Sequence, residues 1–190
     1  IRVSLVGSEM CIRDSINTNL AACGGVLAAG AITRLMAGKT DVIQMLNGAI
    51  GGLVAITAEP LMPSPLAAIL IGAIGGLIVV FGTKLLFSLK IDDVVGAIPA
   101  HLFAGVWGTL AVPLTNGDAS FGAQLLGVIS INAFVFIVSL IVWGIMKGTM
   151  GIRLSKEAER LGTDVSESGV IAYAISCLLY TSPSPRDSLE

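Results

Sequence analysis

The chain has 190 residues, 54% of them hydrophobic and only 13% charged, with 23 glycines, against about 25% charged in an ordinary soluble domain. That mixture excludes a soluble globular protein. A net charge of -2 without a Lys/Arg cluster offers no basic stripe to a phosphate backbone, which excludes nucleic acid as a partner. The apolar residues fall in blocks of about 20, the length a helix needs to cross ~30 Å of hydrocarbon, so the expected fold class is an all-α membrane protein.

The two ends differ from the middle. Leu5–Asp14 reads LVGSEMCIRD and Cys177–Asp187 reads CLLYTSPSPRD, charged and Ser/Pro-rich beside Gly/Ala/Leu-rich neighbours. One codon choice for the second string, reverse-complemented and read from its third base, translates as the first. Both resemble translated sequencing-library adapter, and residues 1–15 and 176–190 are expected to be non-native. Cys11 and Cys177 fall in these ends, so only Cys23 remains and no disulfide is expected. The remainder begins inside a helix pattern without an initiator Met, as a fragment would.

Five apolar blocks follow in order: Asn17–Leu35, Val42–Ala58, Pro65–Leu86, Val94–Val112 and Phe121–Met146. Each is expected to span a bilayer, the shorter ones with help from flanking residues, and residues 148–175 form a tail. Turn-like punctuation separates the blocks: Gly38-Lys39-Thr40-Asp41, Glu59-Pro60 to Pro63-Ser64-Pro65, Lys90-Ile91-Asp92-Asp93, and Pro113 to Asn116-Gly117-Asp118. The basic residues outside the ends are Arg34, Lys39, Lys84, Lys90, Lys147, Arg153, Lys156 and Arg160. All fall at the first and third connections and the tail, whereas the second and fourth connections carry only Glu59 and Asp118. The positive-inside rule makes the tail cytoplasmic.

The second and third blocks share an echo, GAIGGLV at Gly48–Val54 and GAIGGLI at Gly72–Ile78. Small residues four apart let helix backbones approach closely in lipid, so the echo predicts helix packing.

The fourth block holds His101, the single histidine, near the middle of its apolar run. A charged group at that depth costs about 2.5 kcal/mol or more, so such residues face a bundle interior or an aqueous path. A neutral imidazole both accepts and donates a hydrogen bond, which suits a small polar molecule or a proton relay. Helical spacing places Ala97, His101, Gly105 and Gly108 on one stripe, with room beside the ring. Pro99 removes a backbone hydrogen bond and is expected to kink or start the spanning part there, while Trp107 reads as a packing or interface residue. Asp92 and Asp93 read as carboxylates at the N-terminus of the fourth helix. No further His, Cys or carboxylate is spaced beside them as a metal set, so neither a metal nor another cofactor is expected. Ser130 and Ser139 have no nearby base, no phosphate loop exists, and nothing reads as an enzyme.

Several motifs then carry a resemblance. N-T-N-L-A opens the first block, L-N-G-A-I-G-G-L-V-A-I-T lies in the second, and I-D-D-V-V-G-A-I-P-A-H-L-F-A-G-V-W-G-T-L crosses the fourth. The tail reads G-I-R-L-S-K-E-A-E-R-L-G-T-D-V-S-E-S-G-V-I-A-Y. Asn17–Tyr173 thus resembles the C-terminal half of the ammonium transporter/Rhesus family. The resemblance implies an eleven-helix inverted-repeat fold of which these are the last five helices, a homotrimer with one pore per subunit, and placement in the cell membrane. It implies ammonium or ammonia as the transported species, and His101 as the second of two stacked pore histidines, matched by its offset from Asp92 and Asp93. It also implies a P-II-type regulatory protein at the tail. Here Val94 stands where the family often has Pro, A-H-L replaces V-H-G, and Ser168 and Val170 replace the tail's common His and Glu. An ammonium sensor that uses the same fold and signals through its tail is the alternative function.

Overall fold

The computed structural model describes residues 2–62 and 64–170; the expectations for residues 171–190, Tyr173 and Cys177 included, lie outside the described residues. Every regular element among them is helical: α1 Arg2–Ala37, α2 Val42–Ile56, α3 Pro65–Ser88, a π-helical turn Ile98–Phe103 that runs into α4 Ala104–Thr115, α5 Phe121–Thr149, and two short helices, α6 Lys156–Leu161 and α7 Thr163–Ser166. They divide into two compact units, Ile1–Val135 and Phe136–Glu190.

Helix starts follow side-chain chemistry. Asp41 accepts from the Gln44 amide at 3.1 Å ahead of α2, and Ser64 from the Ala67 amide at 3.3 Å ahead of α3, where Pro65 fills the first turn. Each carboxylate or hydroxyl satisfies a donor that the first turn leaves open.

Four of the five blocks form helices long and apolar enough to cross a membrane, among the described residues: Glu9–Ala37, Pro65–Ser88, Ile98–Thr115 and Phe121–Thr149. The second block is shorter than expected. Its helix stops at Ile56, where Thr57 turns its hydroxyl onto the Val54 carbonyl at 2.6 Å and Glu59-Pro60 follows. At ~1.5 Å per residue its 15 residues rise about 22 Å, short of ~30 Å of hydrocarbon. The fourth block is displaced: its helical part begins near Ile98 rather than Val94 and runs to Thr115, so Pro113 lies inside the last turn of α4 instead of in a connection. There Pro113 removes at most one hydrogen bond. The first helix also continues back through residues 2–15.

Close backbone contact organises α1, α2 and α3. A methyl group on Gly72 would meet the Ala21 carbonyl, and one on Gly76 would meet that of Gly25. Gly52 approaches Ala21 in the same way, and a methyl on Gly48 would lie 2.5 Å from the Ala29 Cβ. The two GAIGGL echoes therefore grip one small-residue stripe of α1 from two sides, α3 running parallel to α1 and α2 antiparallel. Where apolar side chains gain little by leaving lipid, such contact supplies the packing. A core of Ala21, Ala55, Ile56, Met62, Ala68, Ile71 and Ala111 gathers towards one end of this bundle, with Trp107 against it.

Polar clamps close that end. Asn17, 1% exposed, donates through Nδ2 to the Pro60 carbonyl at 2.8 Å and the Met62 carbonyl at 2.9 Å, and Thr115 donates to Glu59 Oε2 at 2.9 Å. At the opposite end Lys84 Nζ lies 3.4 Å from Met36 Sδ, which sets the basic ends of the first and third connections side by side. In the second unit, Ser155 caps α6 by accepting from the Ala158 amide at 3.1 Å, and Gly162, at φ 90, turns the chain into α7.

Candidate functional site

The site is built on the segment that leads from α3 to His101. Asp93 accepts from two successive amides, Ala97 at 2.9 Å through Oδ1 and Ile98 at 2.8 Å through Oδ2. Both bonds belong to Asp93. Asp92, expected to share this role, is exposed and lines a shallow hollow with Thr83 and Phe87. Gly96 turns the chain at φ 74, a backbone region cheap for glycine alone. Pro99 follows at the start of the π turn, as a residue without an N–H can.

The π turn is the feature that sequence reasoning missed. The Ala104 amide bonds both the Pro99 carbonyl, five residues back, and that of His101, three back. Such turns insert one residue into a helix and cluster at functional sites. Pro99 and Ala100 are buried, and the turn leans on α3 where a methyl on Gly82 would stand 2.8 Å from the Pro99 Cβ and 2.7 Å from the Phe103 ring. His101 projects away from this contact, exposed in a groove of about 300 Å³ lined with Gly105, Thr109, Gln124 and Asn132. Its chemistry is that of an imidazole among amides and a hydroxyl on an otherwise apolar wall, able to exchange hydrogen bonds with a small polar guest.

The four residues expected on one stripe do not all share this face. Gly105 lines the groove beside His101, but Gly108 is turned onto α2, where a methyl would meet the Ala55 carbonyl, and Ala97 is exposed ahead of the turn. Gly105 and Gly108 both follow the π turn, and their offset around the helix puts Gly105 on the groove side and Gly108 on the α2 side. Trp107 packs as expected, its Nε1 donating to the Ile71 carbonyl at 3.1 Å.

The family model for the Ammonium Transporter Family matches residues 4–173. The chain belongs to the ammonium transporter family. Ammonium transporter Amt2 of Archaeoglobus fulgidus is 38% identical over 194 residues, covering 91% of this chain and 40% of that protein. Ammonium transporter Amt2 of Methanocaldococcus jannaschii is 33% identical over 178 residues, covering 88% of this chain and 42% of its own length. Among solved structures, a Sensor Amt Protein superposes with a TM-score of 0.77 at 30% identity, over 82% of this chain and 42% of that one. Mep2 of Candida albicans gives 0.70 at 26% identity, over 94% and 43%. The chain therefore spans about two fifths of the length of these relatives. With family membership and four spans of membrane length among the described residues, it is part of an integral membrane protein.

Proposed function

We propose that the chain forms the C-terminal part of an ammonium transporter or channel and that His101 lines its conduction path. The observation that carries this reading is the single histidine of the chain, held on a π turn and facing a groove with Gln124 and Asn132. The imidazole would accept a hydrogen bond from ammonium or donate one to ammonia as it passes, while Gly105 leaves the ring space. The relatives named as ammonium transporters support the choice of substrate.

Replacing His101 by Ala in the full-length protein should lower ammonium uptake by about tenfold or more, roughly the loss of one hydrogen bond to a charged guest. Isotope or current measurements across a proteoliposome membrane read the effect, and unchanged selective uptake would end the assignment. The same reading places the protein in the cell membrane as a homotrimer with the tail in the cytoplasm, where a P-II-type protein could bind, and takes residues 1–15 and 176–190 as non-native. A second reading, an ammonium sensor, draws on the likeness to the Sensor Amt Protein. A signalling domain encoded after the tail would favour it.

A further inference from the structure

We infer that Asn132, on α5, is a specificity-determining residue of the groove, its side-chain oxygen accepting an N–H of the guest held at His101. Within residues 121–135 only Gln124, Gly127, Val128 and Asn132 are half-buried, the rest being exposed, and their spacing of three and four keeps them on one helix face. All four line the groove of His101, Gly105 and Thr109. Helix α4 ends at Thr115 and α5 begins at Phe121, so the short connection makes them antiparallel. At ~1.5 Å per residue His101 lies ~21 Å before Thr115 and Asn132 ~17 Å after Phe121, which sets the two side chains at nearly one depth. Thr109 and Gln124 pair in the same way nearer the connection.

Hydrogen bonding decides which end of the amide is offered. Asn132 Nδ2 donates to the Val128 carbonyl at 2.7 Å. A carbonyl only accepts, so the anchored end is the amino group and the free end is Oδ1; among the described residues nothing donates to that oxygen. Thr109 repeats the arrangement, its hydroxyl spent on the Gly105 carbonyl at 2.9 Å and its oxygen left to accept. Polar groups inside a span are costly against lipid and turn to a partner or a polar path, and both side-chain amides of α5 lie on the groove stripe. The space beside them is open: a methyl on Gly105 would meet only Val54 Cγ1 at 3.5 Å, and one on Gly127 nothing within 4 Å. Neither glycine is demanded by a neighbouring backbone, as Gly108 is. Ammonium carries four N–H donors and no acceptor. Opposite the lone pair of a neutral imidazole, Asn132 Oδ1 supplies it a second acceptor, whereas methylammonium spends one direction on its methyl and leaves an acceptor unpaired, the loss by which polar sites discriminate.

The choice of guest rests on the proposed function given above. The test compares two side chains of one shape at position 132 in the full-length protein, reconstituted in proteoliposomes. Asn132→Val removes the acceptor. Asn132→Thr can donate its hydroxyl to the Val128 carbonyl, as Thr109 does to that of Gly105, and keep an oxygen toward the groove. Initial rates of ammonium and methylammonium uptake are measured side by side. Asn132→Val should slow ammonium about tenfold and methylammonium less, because its methyl can turn to the new apolar side chain, so the preference for ammonium falls several-fold. Asn132→Thr should recover most of that preference, and Asn132→Leu serves if the valine variant does not accumulate. Equal preferences in the valine and threonine variants, or both substrates slowed by one factor, would overturn the proposal. His101→Ala separates the two assignments: normal ammonium uptake there, with the valine and threonine variants still differing, would discard the role of His101 and uphold that of Asn132.

Discussion

Lys90 stands at φ 57, the one described residue other than glycine in the left-handed region. It closes α3: the Ile91 amide reaches the Leu86 carbonyl at 3.0 Å and the Lys90 amide that of Phe87 at 3.1 Å, the paired bonds of a Schellman cap. The conformation costs a lysine roughly 1 kcal/mol that glycine would not lose. Lys90→Gly should therefore raise the thermal stability of the detergent-purified full-length protein. Gly96→Ala should lower it by more than that gain, because the methyl adds overlap with Asn47 to backbone strain. A static light-scattering melt separates the two, and an unharmed Gly96→Ala would contradict the close approach described here. At this scale His101 was legible from sequence, as a lone imidazole in an apolar run announces itself. That Asp93 rather than Asp92 takes the Ala97 and Ile98 amides was not, since the choice depends on how the backbone turns at Gly96.

At the scale of elements, the GAIGGL echoes matter through contact rather than chemistry. Gly76→Ala would drive a methyl into the Gly25 carbonyl of α1; backbone cannot yield as a side chain can, and the overpacking should cost about 1–3 kcal/mol. Folded protein recovered from membranes should fall accordingly, while Gly148→Ala, on α5 with nothing within 4 Å, should leave recovery unchanged. Equal recovery of both variants would mean that α1 and α3 are not in backbone contact. The apolar blocks foretold that these helices exist and roughly where they end. They misplaced the start of the fourth because Asp93 and Gly96 cap and turn the chain where hydropathy alone continues, and they overstated the second, whose helix stops at Ile56 ahead of Glu59-Pro60.

For the whole molecule, the charge asymmetry predicts sidedness. The first and third connections hold Lys39 and Lys90, and the structure sets their ends together through Lys84 and Met36. Cysteines introduced at Lys39 and Lys90, in a background with Cys23 removed, should resist a membrane-impermeant maleimide added to intact cells. A cysteine at Asp118 should react. Reaction at Lys39 or Lys90 would reverse the topology and with it the cytoplasmic tail.

Composition and block length alone determined the solvent of this protein, because about 20 apolar residues in a row are stable as a helix only where water is absent. The motifs along the chain determined its family, and spacing singled out His101. The tertiary structure decided what periodicity cannot express: that Gly108 is given to α2 while His101 and Gly105 face the groove, that two glycine echoes share a single stripe of α1, and that the Val95 carbonyl takes its donor from α2. Each depends on atoms brought together from distant positions in the chain, and such meetings are settled by packing and hydrogen-bond satisfaction rather than by any local run of residues.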